Sequence, residues 1–328
     1  MTKRKLETAV DHFPIAGSFT ISRGSRTEIV VVSVRLSDGN TDAQSECVPY
    51  ARYGETVESV LAQIEELRPE MEAGLDRSRL QEIMPAGAAR NALDCVLWDF
   101  EAKQSGKRAQ QLAGLPDLEP RVTAYTLSLG TAESMLEAAK AAAHRPLLKV
   151  KLGGEGDVER IRAVRQGAPE SRLIVDANEA WRPEIYEANM AACAEAGVLL
   201  VEQPLPSDED HHLASLPRPV TVCADESLHT RKDLERLRPL YDAINIKLDK
   251  AGGLTESLLL QQEARKMGFE IMMGCMLGTS LAMAPAMLVA QDADYVDLDG
   301  PLLLKEDRDN ALQFDDGLIF PPEPKLWG

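Results

Sequence analysis

The sequence predicts a mixed α/β protein in which a (β/α)7β barrel of the TIM type is capped by a smaller α+β domain. Three observations support this prediction. Apolar runs typical of strands alternate with helical segments from about residue 120 onward. The residues that end successive runs, from Lys151 to Asp297, are spaced at intervals of 25, 26, 23, 22, 27 and 23 residues. The flanking stretches, residues 1–118 and 303–328, lack this repeat.

The composition is that of a globular protein with a strongly acidic charge balance. Of 328 residues, 44% are hydrophobic and 27% are charged, and the net charge is −17. Nucleic acids and anionic membranes bind basic patches, so neither is expected as a partner. The five cysteines form no CxxC pair, and no apolar run suits a signal peptide or a membrane span. We therefore expect a cytoplasmic protein with reduced thiols.

The N-terminal 118 residues predict the capping domain. The segment TEIVVVSVRLSDG, residues 27–39, is typical of a strand that runs into a turn. Residues 56–67 form an amphipathic pattern with Thr56 as a helix cap, and residues 86–106 predict a long helix closed by Gly106. The C-terminal tail, residues 303–328, lacks the repeat and is expected to return to this domain.

Residues 119–302 predict the barrel. Counting from residue 122, eight strand-like runs alternate with seven helical segments at about 25 residues per unit. The same alternation occurs in doubly wound open sheets, but no GxGxxG loop follows the first strand. In a barrel the carboxyl ends of the strands meet at one rim, so the residues that end these runs would converge there.

Two lysines on one apolar run are candidate bases. Lys149 and Lys151 lie two apart in LLKVKLGG, residues 147–154. Side chains alternate across a strand, so both ammonium groups point to the same side. Mutual repulsion and lost hydration would favour the neutral amine, which is a base.

Three carboxylates end the next three strands and predict a metal site. They are Asp176 in RLIVDAN, Glu202 in VLLVEQPL and Asp225 in VTVCADES. Carboxylates that converge on one point repel each other unless a cation lies among them, and oxygen ligands suit Mg²⁺. Such a cation would bind a substrate carboxylate and stabilise the charge that develops when an enolate forms.

A further lysine lies on the far side of the predicted ring. Lys247 ends the sixth barrel strand, four strands from Lys151 on the second, so the two face each other across the mouth. Asp297 and Asp299 end the eighth strand. Two opposed bases can remove a proton from one face of a carbon and return it to the other. The predicted reaction is therefore a racemisation or an epimerisation.

Several motifs resemble those of one enzyme family. LKVKLGG, IVDANEAW, VEQPLP, CADES and NIKLDKAGG are similar to the muconate-lactonising branch of the enolase superfamily. GAARNALDCVLWD, GCMLGTS and DLDGP resemble the dipeptide epimerases within it, and the likeness spans nearly the whole chain.

The resemblance implies a role for each candidate. Asp176, Glu202 and Asp225 would bind Mg²⁺, Lys151 and Lys247 would be the acid/base pair, and Lys149 would lower the pKa of Lys151 and polarise the substrate. Asp297 and Asp299, the DxD pair, would bind the α-ammonium of a dipeptide. The other expected substrate-binding residues are Arg23 and Arg26 of a covering loop, and Thr126. Arg26 is preferred over Arg23 as the partner of a glutamate side-chain carboxylate.

Other interpretations stay open at this stage. Asp176 and Asp225 can act as plain helix or turn caps, and the role of Asp249 is undecided between support and substrate contact. The same lysines and metal also serve o-succinylbenzoate synthase, N-acylamino acid racemase and cycloisomerase relatives. A non-catalytic barrel that binds peptide is the alternative outside enzymes. The expected partner is a small-molecule dipeptide, with a homo-oligomer possible.

Overall fold

The computed structural model describes residues 4–328 and begins with an antiparallel sheet backed by helices. The sheet runs in the order β1, β2, β3, and its elements are β1 (Lys5–Ile21), β2 (Gly24–Ser37) and β3 (Asp42–Cys47). The helices that follow are α1 (Val57–Ala73), α2 (Arg77–Ile83), α3 (Ala88–Ser105) and α4 (Ala109–Leu112). This is the predicted α+β cap, and the first three residues of its predicted range lie outside the described residues.

The predicted helices of the cap are confirmed, whereas two of the three strands of its sheet, β1 and β3, were not predicted. Thr56 caps α1 through a reciprocal capping box with Ser59, and Gly106 ends α3 in a left-handed conformation with φ 68°. β1 pairs with β2 along a long hairpin whose register shifts between Pro14 and Phe19. Its polar residues, proline and glycine do not follow a strand pattern, because it lies at the sheet edge.

Eight parallel strands form the barrel, as predicted. They are β5 (Tyr125–Leu127), β6 (Leu147–Lys151), β7 (Arg172–Asp176), β8 (Val198–Glu202), β9 (Thr221–Ala224), β10 (Ala243–Ile246), β11 (Glu270–Met273) and β12 (Tyr295–Val296). Each strand pairs with the next in chain order. The amide of Ala124 donates to the carbonyl of Val296 at 2.8 Å, which brings the first and last strands together.

The helices around the barrel differ from the prediction at one point. They are α5 (Ala132–Ala142), α6 (Asp157–Gly167), α7 (Pro183–Glu195), α8 (Leu234–Leu237), α9 (Leu248–Ala251), α10 (Leu254–Lys266) and α11 (Ser280–Ala290). Among the described residues, β8 and β9 are joined by a 3-10 turn over 210–214 rather than by an α-helix. The polar stretch SDEDHH, residues 207–212, runs into this turn and offers no apolar face to pack on the strands.

Inside the barrel, a layer of apolar side chains lies directly beneath the polar residues of the site. One buried layer consists of apolar residues from seven positions around the ring: Ala124, Leu147, Ile174, Leu200, Cys223, Ala243 and Met272. Leu147, Ile174 and Leu200 each lie two residues before Lys149, Asp176 and Glu202 respectively. Since side chains two apart share a face, this layer forms the floor beneath the polar groups.

The C-terminal tail contacts both parts of the molecule. Short strand β13 (Phe314–Asp315) pairs with β14 (Leu318–Ile319), which in turn pairs with β4 (Arg121–Val122) ahead of the barrel. Further on, the indole nitrogen of Trp327 donates to the carbonyl of Cys95 in α3 at 3.1 Å. The division into domains at residues 118 and 303 stays a prediction. Across residues 4–328, no helix is both long and apolar enough to cross a bilayer.

Anchoring of the tail by Trp327 can be measured as stability. Trp327 is fully buried, so Trp327→Ala should lower the free energy of unfolding by about 3–5 kcal/mol through lost contacts and a cavity. Trp327→Phe keeps most of the apolar contact and loses one hydrogen bond, so roughly 1–2 kcal/mol is expected. Urea unfolding followed by far-UV circular dichroism measures both. Equal stability of the alanine variant and the wild type would show that the tail does not hold α3.

Candidate active site

The predicted site residues come together at the carboxyl ends of the barrel strands. Lys151 is the last residue of β6 and pairs in register with Asp176, the last residue of β7. Asp176 in turn pairs with Glu202, the last residue of β8. Asp225 and Lys247 follow β9 and β10 by one residue each. The parallel register therefore places neighbouring charges side by side on one rim.

Lys149 lies at the centre of this charge cluster. Its ammonium nitrogen is 2.6 Å from Asp297 Oδ2, 2.7 Å from Glu202 Oε2 and 3.4 Å from Asp176 Oδ2. Burial disfavours the charged amine, but Asp297, Glu202 and Asp176 outweigh it and raise the pKa of Lys149 well above its usual value. The sequence predicted a neutral amine on Lys149. The surrounding carboxylates favour the ammonium form instead, because their attraction outweighs the repulsion between the lysines.

Lys151 and Lys247 face one cavity from opposite strands. Lys151 Nζ lies 2.6 Å from Asp176 Oδ2, and Lys247 Nζ lies 2.7 Å from Asp225 Oδ2. Both lysines line a cavity of about 470 Å³ between the barrel mouth and the cap, a volume typical of small-ligand sites. Burial acts against the charge of Lys247, but Asp225 and Glu202 raise its pKa well above the usual value.

The three carboxylates of the predicted metal site differ in their electrostatics. Burial disfavours ionisation of Asp176, but Lys151 and Lys149 overcome it and lower its pKa to about 2. Lys247 and Lys250 likewise hold the pKa of Asp225 well below its usual value in spite of burial. Burial, followed by the charge of Asp176, raises the pKa of Glu202 to about 7. Glu202 is thus the carboxylate whose charge is least compensated.

The donor set fits a hard divalent cation. Within residues 4–328, no group of three acidic, histidine or cysteine side chains is arranged closely enough to form a ready-made cation site, and lysine ammonium groups lie among the carboxylates instead. Oε2 of Glu202 is fully buried and accepts no well-formed hydrogen bond, although Lys149 lies 2.7 Å away. Three buried carboxylates with an unsatisfied oxygen match the preference of Mg²⁺ for oxygen ligands.

The acidic pair on the last strand is also buried. Asp297 Oδ2 binds Lys149, while its Oδ1 is buried without a hydrogen-bond partner among the described residues. Asp299 Oδ2 accepts the backbone amide of Thr126 at 2.6 Å, and the side chain of Thr126 also contacts this carboxylate. Burial and then the charge of Asp297 raise the pKa of Asp299 to about 7. Both aspartates lie near Cys275, which lines the cavity.

The two loop arginines have different surroundings. Arg23 is engaged with the barrel: its guanidinium lies 2.8 Å from Glu226 Oε1 and 3.2 Å from Glu179 Oε2. Arg26 lies over the ring of Tyr50, 5.6 Å from its centroid, and forms no ion pair within residues 4–328. Both line the cavity, so Arg26 is the guanidinium with free hydrogen-bonding capacity.

Several residues that shape the site were missed in the sequence. Asn245 donates to Glu202 Oε1 at 2.6 Å, and Lys250 donates to Asp225 Oδ1 at 2.5 Å. Asn245 lies two residues before Lys247, so strand alternation was the available signal. For Glu226, which accepts the Arg23 ion pair, the sequence holds no comparable signal because its partner is 203 positions away, from 23 to 226.

Sequence comparisons place this arrangement in a known family. The family model described as mandelate racemase / muconate lactonizing enzyme, N-terminal domain, matches residues 3–114, and the one described as enolase C-terminal domain-like matches residues 131–325. The chain belongs to this family of the enolase superfamily. The resemblance of its motifs is thereby confirmed.

Two individual relatives with similar sequences are an epimerase and a racemase. L-Ala-D/L-Glu epimerase of Escherichia coli is 45% identical over 96% of this chain and 98% of that protein. N-acetyl-D-glutamate racemase of a Pseudoalteromonas species is 44% identical over 91% of this chain and 95% of that protein.

Solved structures agree with this family assignment. An enolase family member from Agrobacterium tumefaciens, with homology to dipeptide epimerases and with bound sodium and L-Ala-L-Glu, is 54% identical at a TM-score of 0.97 and covers 99% of this chain and 100% of its own. A dipeptide epimerase from Enterococcus faecalis complexed with Mg and L-Leu-L-Tyr is 26% identical at a TM-score of 0.91, covering 98% of both chains.

The ion pairs of Arg23 and Arg52 should differ in their effect on stability. Arg23→Gln leaves Glu226, whose side chain is 1% exposed, without its cation, so a loss of roughly 1–3 kcal/mol in the free energy of unfolding is expected. Arg52 pairs with Glu179 nearer the surface, at 38% exposure, so Arg52→Gln is the matched control and should cost about 0–1 kcal/mol. Urea unfolding compares them. A larger loss for the Arg52 variant would contradict this ranking.

Proposed function

We propose that this protein is a Mg²⁺-dependent dipeptide epimerase that interconverts L-Ala-L-Glu and L-Ala-D-Glu. The observation that carries the proposal is the pair Lys151 and Lys247, which line one cavity from strands four positions apart in the ring of eight. Between them on the ring lie the ends of β7, β8 and β9 with their buried carboxylates. The relatives that bind or epimerise dipeptides support this choice of substrate.

The lysines would transfer the proton between the two faces of the substrate carbon. One lysine in its amine form removes the α-proton of the glutamyl residue, and the opposite lysine, as an ammonium group, delivers a proton to the other face. Asp176, Glu202 and Asp225 would hold the metal, with Asn245 orienting Glu202. A bound Mg²⁺ supplies positive charge that offsets the negative charge developing on the substrate carboxylate. In spite of burial, Asp225 and Glu202 provide the attraction that raises the pKa of Lys247, and binding of the metal by these carboxylates would weaken that attraction.

The remaining polar groups suit the two ends of the dipeptide. The buried Oδ1 of Asp297 lacks a hydrogen-bond partner, which favours an incoming ammonium group. Arg26 has no carboxylate partner within residues 4–328 and would pair with the γ-carboxylate of glutamate. Arg23, whose guanidinium is already paired, would instead hold the loop against the barrel. We further propose a cytoplasmic role in the recycling of murein peptides, which contain L-Ala-D-Glu.

Racemisation of N-acylated glutamate is the second candidate. The relative named N-acetyl-D-glutamate racemase is almost as similar in sequence as the epimerase relative. In addition, Asp297 already contacts Lys149 and Asp299 already accepts the Thr126 amide, so neither carboxylate depends on a substrate ammonium for its only partner. Under this candidate Arg26 keeps its role, because the glutamate side chain is shared by both substrates.

Proton NMR in D₂O tests the proposed reaction directly. With Mg²⁺ and L-Ala-L-Glu, the glutamate α-proton signal should disappear while L-Ala-D-Glu resonances grow, because each turnover draws deuterium from solvent. EDTA should abolish both changes. A parallel sample with N-acetyl-D-glutamate separates the second candidate. Exchange only with the N-acetyl compound would replace the dipeptide proposal, and no exchange with either substrate or with a dipeptide panel would refute epimerisation.

Single lysine variants test the two-base assignment. Lys151→Ala and Lys247→Ala should each slow epimerisation by at least about 10²-fold, since each removes the base for one face. Each variant should still exchange the α-proton of one diastereomer, and the two variants should retain opposite diastereomers. Deuterium incorporation from each pure diastereomer, followed by mass spectrometry, measures this. Wild-type epimerisation rates in both variants would contradict the assignment.

A further inference from the structure

One short turn carries three charged residues that point in different directions. Helix α9 (Leu248–Ala251) directly follows Lys247, which faces the cavity and binds Asp225. Lys250 donates to Asp225 Oδ1 and to its backbone carbonyl, both at 2.5 Å. The third residue, Asp249, contacts the cap instead of the cavity. This turn therefore joins a candidate base, a candidate metal ligand and the capping domain.

Asp249 is one of the contacts between this turn and the cap. It is 8% exposed, and a single oxygen, Oδ1, accepts the amide of Val48 at 3.0 Å and the side-chain amide of Asn91 at 2.8 Å. Asn91 belongs to the buried helix α3, whereas Val48 begins the loop that carries Tyr50 and Tyr53 into the cavity wall. Two buried donors converging on one oxygen define the position of the Asp249 side chain.

Arg90 holds the end of the same turn. Its guanidinium, on a side chain 6% exposed, donates to the carbonyls of Gly252 at 3.0 Å and Ala251 at 2.7 Å. Gly252 has a φ of 79°, and an added Cβ there would lie 2.5 Å from the Arg90 side chain. The cap thus grips the segment after Lys247 at two places, through Asp249 and through Arg90.

The two candidate bases are supported in different ways. Lys151 is part of β6, and its register with Asp176 belongs to the sheet ladder. Lys247 lies one residue beyond β10, at the start of α9, with extended backbone angles of φ −128° and ψ 130°. Its position therefore depends on the turn that follows it, and the turn depends on the cap.

We propose that Asp249 is a positioning residue for Lys247, acting through the hydrogen bonds that tie its turn to Val48 and Asn91. This inference rests on the proposed two-base epimerisation. It makes the capping domain part of the support for the backbone of Lys247, whereas the backbone of Lys151 is held by the sheet ladder. Loosening this contact should therefore impair proton transfer at one face of the substrate selectively.

The test compares two substitutions at Asp249. Asp249→Ala removes the oxygen that both donors share, whereas Asp249→Asn retains one amide oxygen able to accept both bonds. In D₂O with Mg²⁺, Asp249→Ala should slow α-proton exchange by up to about 10²-fold for one diastereomer, the same one that Lys247→Ala fails to exchange. Asp249→Asn should keep the wild-type ratio of exchange rates. Equal losses for both diastereomers, or a loss on the Lys151 side, would overturn the proposal.

A buried carboxylate elsewhere on the same interface provides the control. Glu46 is 2% exposed, accepts the amide of Thr279 at 2.8 Å and pairs with Arg308 at 2.6 Å, and it forms no hydrogen bond to the turn of Lys247 within residues 4–328. Glu46→Gln should affect both diastereomers equally, as expected for general loosening of the interface. If Asp249→Ala does not fold, Asn91→Ala is tested instead, because it removes one of the two hydrogen bonds to Asp249. It should slow exchange of the same diastereomer selectively.

A measurement without substrate separates this inference from the proposed function. Amide hydrogen exchange of a peptide spanning residues 244–253 should be faster in Asp249→Ala than in the wild type or Asp249→Asn, while peptides from β6 should be unchanged. If the wild type turns over no dipeptide, the proposed function fails, but faster exchange confined to this peptide still supports positioning. Unchanged exchange there would overturn it.

Discussion

The structure depends on balancing buried charge at the mouth of the barrel. Six carboxylates and four ammonium groups are buried there: Asp176, Glu202, Asp225, Glu226, Asp297, Asp299, Lys149, Lys151, Lys247 and Lys250. An isolated buried charge costs many kcal/mol, so none of these groups is stable there without the others. Their unequal neighbours explain why the pKa of Asp176 is low, at about 2, and that of Glu202 is raised to about 7.

This charge cluster requires a cover, which the capping domain provides. Arg23 reaches from the β1–β2 hairpin to Glu226 after β9, and Arg52 reaches Glu179 after β7. These contacts close the cavity around polar groups that would otherwise be hydrated. A site shielded from water strengthens each electrostatic interaction within it, which suits the abstraction of a weakly acidic proton. The cap therefore contributes to the electrostatics of the site as well as to its shape.

The sheet and the cap hold different residues of the site in position. Residues within the ladder, such as Lys151 and Asp176, take their positions from backbone pairing with neighbouring strands. Lys247 lies beyond its strand and takes its position from a turn held by Asp249 and Arg90. One barrel can thus keep a constant arc of carboxylates while the cap adjusts the loops that meet the substrate.

The sequence alone determined the barrel, the order of its strands and the residues that end them, because alternation and a period near 25 residues are local properties. It did not predict strand β1, whose edge position and proline obscure the pattern, strand β3, or the turn that replaces a helix after β8. Only the tertiary structure decided that carboxylates raise the pKa of Lys149 and that Asp249 faces the cap. It also decided that Arg23 is ion-paired, whereas Arg26 has no carboxylate partner within residues 4–328. Each of these depends on distances between residues far apart in the chain, and such distances leave no periodic signal in the sequence.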